Sequence, residues 1–406
     1  MTQLRIESIA AGGDGVARTG GMVVFVPRSA PGDLIDARIS GKKSFGRGRI
    51  TRIEQPSADR IEPPCPHYTN DRCGGCQIQH LSYDAQLLAK SGIIRDGLTR
   101  IGKREVAAPS VVRSPIEWQY RAKLTLAIRG TPGGRRIGLH PFDDADSVFQ
   151  LNDCPITDER VVAIWRSIFA QADLLPEAAD RGAVRILDSG FASVVIEGDT
   201  RWANARSLLE AIPQIESLWW KPENQARRLV AERQSSRGSA SFVQVNPAMA
   251  AILREHVLDR IRAHAPRTVV DGYAGSGATA IPLARQGIRV TAIELDSDAA
   301  AACGSLLPPN SQSLAGRVED LLPGALPADV ILLNPPRTGL AEQVPLQLET
   351  AAERPKAIIY VSCNPATLGR DLARMPSYRV ASVRGFDMFP QTAHVETVCE
   401  LIPEAA

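Results

Sequence analysis

Apolar and polar positions change rhythm three times along the chain. Up to about residue 55 the apolar runs are short and broken by glycines. Stretches 22–26 and 34–39 read as strands between Gly12-Gly13-Asp14-Gly15, Gly20-Gly21 and the basic, glycine-containing stretch 42–49, which reads as a turn. Five or so short strands in this length predict a small closed barrel of the OB type, and 56–66 reads as a linker. Leu81, Leu87, Leu88, Ile93, Ile94 and Leu98 recur at helical spacing and predict a helix over 81–103. From about 111 to 240 the texture is mixed α/β, with strands at 123–129 and 193–198 and a helix over 155–174. From about 244, helices at 248–263, 278–285 and 298–306 alternate with strands at 268–271, within 287–294, and at 329–333. That alternation predicts a parallel, doubly wound sheet. The chain therefore divides into a β-barrel (1–56), a central α/β unit (57–243) and a C-terminal, Rossmann-like unit (244–406).

Composition adds limits. An apolar share of 44% with 23% charged residues is that of a globular protein. No apolar run is long enough to cross a bilayer and no secretory h-region opens the chain, so a cytoplasmic protein without a membrane partner is expected. The net charge of +2 does not announce a polyanion partner. Its distribution says more: residues 1–60 hold ten Lys/Arg against six Asp/Glu, so the basic excess lies at the N-terminal end. Oligomeric state is not legible, and a monomer is the default.

The candidate chemistry sits where strands end. Residues 357–361 form a short apolar run, and Asn364-Pro365 breaks it. Cys363 is thereby delivered to the sheet edge where open α/β folds bind ligands. It is a candidate nucleophile, against the plain reading of a buried thiol. Asp271-Gly272-Tyr273-Ala274-Gly275-Ser276-Gly277 follows the first strand of this unit, and Glu294 ends the next, where a carboxylate can hold both hydroxyls of a ribose. No third glycine completes a dinucleotide fingerprint, so a nucleoside methyl donor such as S-adenosylmethionine fits better. Asn334-Pro335-Pro336-Arg337 ends another strand in a stiff turn that aims a polar group at the crevice. Glu396, alone an ordinary strand carboxylate, becomes a candidate general base beside Cys363.

The chain has seven cysteines, an odd number that argues against a disulfide framework in a reducing compartment. Cys65, Cys73 and Cys76 crowd into twelve residues, and Cys154 precedes a proline far downstream. Four thiolates suit zinc or an iron–sulfur cluster. Lacking a second C-x-x-C pair, the pattern leans toward [4Fe–4S]. A radical enzyme is disfavoured, because the fourth cysteine closes the cluster.

Cys65-Pro66-His67, Cys73-Gly74-Gly75-Cys76, Gln244-Val245-Asn246, the 271–277 turn, Asn334-Pro335-Pro336-Arg337, Ser362-Cys363-Asn364-Pro365 and the segment 389–396 together resemble the RNA 5-methyluridine (uracil-C5) methyltransferase family over essentially the whole chain. The likeness is greatest to bacterial enzymes acting on 23S ribosomal RNA. It implies a TRAM barrel, an iron–sulfur central domain and a Rossmann-like methyltransferase domain. It further implies a [4Fe–4S] cluster on Cys65, Cys73, Cys76 and Cys154, and S-adenosylmethionine held by Gln244, Tyr273, Gly275, Glu294, Asp320 and Asn334. Cys363 would attack uracil and Glu396 would remove its proton, on a uridine flipped out of RNA. Lys42, Lys43, Arg47 and Arg49 would grip phosphates. Transfer RNA is the alternative substrate, and an idle RNA-binding or assembly factor the alternative function. Three features depart from the family pattern: Asn334 stands where aspartate is usual, Ala278 where a polar donor contact is common, and the Cys65-to-Cys73 spacing is long.

Overall fold

Three sheets follow one another along the chain in a computed structural model that describes residues 1–42, 44–131, 134–198, 201–223, 225–233 and 244–404. The first contains β1 (Thr2–Arg5), β2 (Ser8–Ile9), β3 (Gly15–Thr19), β4 (Met22–Val26), β5 (Leu34–Lys42) and β6 (Phe45–Gln55) in the order β1-β5-β6-β4-β3-β2. Six strands form where about five were expected. The expected turn over 42–49 is corrected: Lys42 already pairs with Phe45, and Arg47 and Arg49 lie on the exposed side of a long strand. Its glycines serve packing. A Cβ on Gly46 would stand 2.9 Å from Ile39, and one on Gly48 2.9 Å from Val26. Lys43 lies outside the described residues.

The chain then runs through α1 (Pro66–Thr69) and α2 (Tyr83–Asp96), which widens into one π-helical stretch, Gly97–Ile101. Ser82 caps α2 by accepting from the Ala85 N–H at 3.4 Å. The predicted helical face is right for Ile93, Ile94 and Leu98, but Leu88 is 72% exposed. The short strand β7 (Val111–Val112) leaves for the third sheet.

The second sheet is built from β8 (Lys123–Thr131), β9 (Gly134–Leu139), β10 (Phe149–Gln150), β11 (Ala179–Ile186), β12 (Ala192–Gly198), β13 (Ile215–Pro222) and β14 (Arg228–Glu232), in the order β10-β9-β8-β11-β12-β13-β14. Helices α3 (Glu159–Ala170) and α4 (Ala205–Ala211) pack on it. The expected helix over 155–174 is shorter because the Asp158 carboxylate caps it from Arg160 N–H onward.

The third sheet holds the candidate chemistry. Helix α5 (Pro247–Arg262) precedes β15 (Thr268–Gly272), α6 (Ala280–Arg285), β16 (Arg289–Glu294), α7 (Ser297–Leu306), β17 (Gln312–Ala315), α8 (Val318–Ala325), β18 (Val330–Leu333), α9 (Gln343–Glu349), β19 (Ala357–Ser362), α10 (Pro365–Ala373), β20 (Tyr378–Phe386) and β21 (Glu396–Pro403). The order is β17-β16-β15-β18-β19-β21-β20-β7. Strands β15 to β19 are parallel, as the alternation predicts. β21 is antiparallel to both β19 and β20, so the sheet is mixed. Among the described residues no helix is long and apolar enough to cross a membrane.

One interaction ties α2 to this sheet. Lys90 is fully buried and its ammonium bonds Asp387, also fully buried, and the Phe389 carbonyl at 3.0 Å. A buried charge without its partner is costly. Lys90→Met is therefore expected to lower unfolding free energy by about 3–5 kcal/mol, and adding Asp387→Leu to recover most of it. Urea denaturation of the two variants checks this.

Candidate active site

The parallel strands deliver their last residues to one edge. Gly272 of β15 stands beside Ile293 of β16 and Leu333 of β18, and Leu333 beside Tyr360 of β19. The residues just beyond are Tyr273, Glu294, Asn334 and, at the end of β19, Cys363. Strand spacing of about 4.8 Å places Glu294 roughly 14 Å from Cys363 across three strand intervals.

The glycine turn is held from below. The N–H groups of Tyr273 and Ala274 donate to the Ile293 carbonyl at 2.9 and 3.1 Å. Tyr273 and Gly275 adopt positive φ of 66° and 56°, conformations that glycine takes without strain and tyrosine does not. Glu294 accepts from the N–H of Gly275 and from that of Asp296, both at 2.8 Å. One carboxylate thus shapes the turn while keeping lone pairs toward the crevice. Beneath it, burial and the Glu294 charge push the Asp271 carboxyl up to about 7, against one hydrogen bond from Ala280. Its Oδ2 has no partner among the described residues.

The other expected donor contacts divide. The Asn334 N–H extends the sheet by donating to the Gly272 carbonyl at 3.2 Å, and its side chain is exposed at the edge. Gln244 stands two residues before Asn246, which caps α5 through Met249 N–H and bonds the Ser114 hydroxyl at 3.1 Å. Asp320 is exposed in the first turn of α8; burial raises the Tyr273 hydroxyl, and the neighbouring Glu319 and Asp371 add to the rise.

Cys363 lies between the last residue of β19 and the first turn of α10. Ser362 bonds both the carbonyl and the N–H of Asn364, and the Asn364 carboxamide caps the helix at Ala366 N–H, 3.1 Å. In the β19–β21 ladder Ser362 pairs with Thr397. The ladder stops there; carried one residue further, its register brings Cys363 to Glu396, whose charge acts on the thiol. Burial pushes Glu396 up to about 7, with Arg337 pulling the other way. Burial also raises the Cys363 thiol, and Glu396 adds to the rise. Arg337 opposes it by charge and by a hydrogen bond to the sulfur. His394 lines the same crevice; its ring is accessible to solvent yet surrounded by enough protein, and by Arg337, Lys90 and Arg121, to be driven down to about 4. It stays neutral at physiological pH.

Sequence reasoning assigned no role to Arg337, although its motif was visible, nor to Asp371. Asp371 is wholly buried in α10. It accepts from Leu340 N–H at 2.8 Å and from the Tyr360 hydroxyl at 2.7 Å. It therefore pins the loop carrying Arg337 to the helix that follows Cys363. A carboxylate on the apolar side of an amphipathic helix was the available signal.

Cys65, Cys73, Cys76 and Cys154 gather in one pocket with Tyr68, Tyr120 and Ile156. All four are free thiols. Burial raises each of them, and the neighbouring sulfurs raise Cys73 and Cys76 further. Arg28 and Arg121 oppose the rise, and backbone N–H groups point at Cys65 and Cys73. Among the described residues no three His, Cys, Asp or Glu side chains close on one point as a single metal ion requires.

Residues 315–402 match the tRNA (Uracil-5-)-methyltransferase family. An uncharacterized RNA methyltransferase of Listeria innocua is 30% identical over 98% of this chain and 97% of its own. A 23S rRNA (uracil(1939)-C(5))-methyltransferase of Azoarcus sp. is 30% identical over 97% of this chain and 98% of its own. The crystal structure of Pyrococcus abyssi tRNA (uracil-54, C5)-methyltransferase in complex with S-adenosyl-L-homocysteine shares the fold, with a TM-score of 0.71 over 98% of this chain and 99% of that one at 22% identity. With similarity running through nearly the full length of both partners, the protein belongs to the RNA uracil-C5 methyltransferase family.

Proposed function

We propose that the protein methylates carbon 5 of one uridine in 23S ribosomal RNA, with S-adenosylmethionine as donor, Cys363 as nucleophile and Glu396 as base. The observation that carries this reading is the Cys363–Glu396 rung with Arg337 acting on both. Carbon 5 of uracil is a poor nucleophile. After the thiol gives its proton to solvent, with Arg337 stabilising the thiolate, sulfur adds to carbon 6 and electron density moves to carbon 5. Carbon 5 takes the methyl as the sulfonium C–S bond breaks. Glu396 accepts the carbon 5 proton, the C6–S bond breaks, and the double bond returns. Burial suits Glu396 to this task, since a base titrating near 7 works best near neutrality. The 23S relative supports ribosomal over transfer RNA.

The donor would lie along the sheet edge, its ribose at Glu294, its methyl near Asn334, with Gln244, Tyr273, Gly275 and Asp320 around it. Ala278 and Asn334 supply no charge there. Cys65, Cys73, Cys76 and Cys154 would hold a [4Fe–4S] cluster. An all-sulfur donor set met by N–H groups and two arginines fits it. The cluster would neutralise four buried thiolates and brace the loop that bears them. Arg47 and Arg49 on the exposed side of β6, with Lys42, would bind RNA phosphates.

Methylation assays, the Glu396→Gln variant and iron analysis test this reading. Anaerobically purified protein given labelled S-adenosylmethionine should form 5-methyluridine in unmodified 23S rRNA and not in tRNA transcripts. The rate should rise through about pH 7, and Cys363→Ala should abolish it with the fold intact. Product on tRNA alone would overturn the ribosomal assignment. Glu396→Gln should hold methylated RNA as a covalent complex on denaturing gels, because the carbon 5 proton has no acceptor. The same variant tests the burial. Glu396 binds its proton more tightly folded (about 7) than unfolded (4.5), so its ionisation destabilises the fold progressively as pH rises from 4.5 to 7. Glu396→Gln should therefore gain up to about 3 kcal/mol over wild type at pH 8 and nothing at pH 4, read by urea denaturation. Finally, iron and sulfide assays should find about four of each per chain, and Cys76→Ser should lose them.

A further inference from the structure

Helices α3 and α4 cover one face of the seven-stranded sheet; among the described residues the other face carries mostly exposed and half-buried side chains. Leu124, Val184, Val194, Leu218 and Trp220 are buried on the side where α3 and α4 pack. Side chains alternate along a strand, and the registers fix what stands on the other side. Lys123 of β8 faces Arg185 of β11, which faces Ser193 of β12. Two residues along, Thr125 faces Ala183, Ala183 faces Val195, and Val195 faces Trp219 of β13. In the next row Arg181 stands beside Ala127. The result is a trough: small side chains form its floor, cations its near side and an indole its far side.

These cations crowd one another. Burial first, then Arg185, Arg181 and Arg121, act against the charge on Lys123, with Glu197 opposing; Glu197 is itself paired to Lys221 at 3.3 Å. Arg227 acts likewise on Arg185, with Asp188 opposing. Like charges gathered on one face destabilise the fold and suit a polyanion. Trp219 is half-buried and fixed: its Nε1 donates to the Ser217 hydroxyl at 3.1 Å, and Arg227 stands 5.6 Å from its ring. The row also leads to the active site, because Arg121, two residues before Lys123, is one of the cations acting on His394.

We propose that this open face carries the single-stranded RNA flanking the target uridine, with phosphates on Lys123, Arg181 and Arg185 and one unstacked base on Trp219. The inference rests on the RNA methyltransferase reading above. A single strand is favoured over a duplex because an indole above small side chains takes a base only when that base is unstacked.

The test is RNA binding by fluorescence anisotropy across a salt series, using a single-stranded oligonucleotide centred on the methylated uridine and a duplex of the same sequence. Lys123→Gln/Arg181→Gln/Arg185→Gln keeps the aliphatic stems. It should weaken single-strand binding at least tenfold and flatten the log–log salt slope by about 2, at about 0.7 per lost phosphate contact. Trp219→Ala should weaken binding about fivefold or more and Trp219→Phe much less. S-adenosylmethionine affinity should not move and the urea midpoint should not fall, and methylation should lose in KM rather than kcat. Unchanged affinity and slope in the triple variant would overturn the proposal, as would equal losses for duplex and single strand. A wild-type protein that binds RNA through this face yet forms no 5-methyluridine would instead overturn the methylation reading and leave the surface standing.

Discussion

The antiparallel rung between β19 and β21 is the constraint on which the site depends. A sheet with all its strands parallel would start β21 at the far edge, away from the crevice. Entering antiparallel, the strand begins at the crevice, so its first residue, Glu396, meets the residue just past the end of β19. The register cannot slip by one residue without exchanging the two faces of the strand. Six successive residues of β21, from Glu396 to Leu401, are buried. Apolar packing of Val398, Cys399 and Leu401 thus holds a buried carboxylate near a thiol whose pKa it raises.

The segment leading into β21 has little regular structure, and its polar groups are met from the other end of the chain. The Gln86 carboxamide bonds the N–H and the side chain of Gln391, each at 2.9 Å. Ile78 N–H donates to the Gln391 carbonyl, the Tyr120 hydroxyl to that of Pro390, and Lys90 to that of Phe389. Ala393 N–H donates to Gln77. Gln77 and Ile78 directly follow Cys76, and Tyr120 packs in the cysteine pocket. Whatever orders that pocket therefore orders the wall from which Glu396 is aimed.

The features legible in the sequence are those set locally. A short apolar run followed by a glycine turn or a proline states where a parallel strand ends, and Tyr273, Glu294, Asn334 and Cys363 were placed on one edge by that rule alone. What escaped depends on distant partners. Lys90 and Asp387 meet across 297 positions, and nothing in a helical pattern marks one lysine as buried. Strand β6 read as a turn because Gly46 and Gly48 look like turn glycines, when they are there to let Ile39 and Val26 close over them. Antiparallel β21 was invisible because strand direction is set by the β20–β21 connection, not by composition.

The sheet edge is electrically divided, and the division accounts for Asn334. Over β15, β16 and α8 the side chains are acidic: Asp271, Glu294, Glu319 and Asp320. Two of them already interact, since Glu294 helps to hold Asp271 protonated near neutrality. Over β19 and β21 the acting charges are Arg337, Arg121 and Lys90. A methyl donor carries a cationic sulfonium, whereas thiolate, enolate and phosphates are anionic, so the two halves match the two reactants. Asn334 ends β18, between the halves. An aspartate there would add a further charge to a group of acids that repel each other, and would draw on the Arg337 field that lowers Cys363. The amide keeps a donor and an acceptor at the boundary and leaves that field on the thiol.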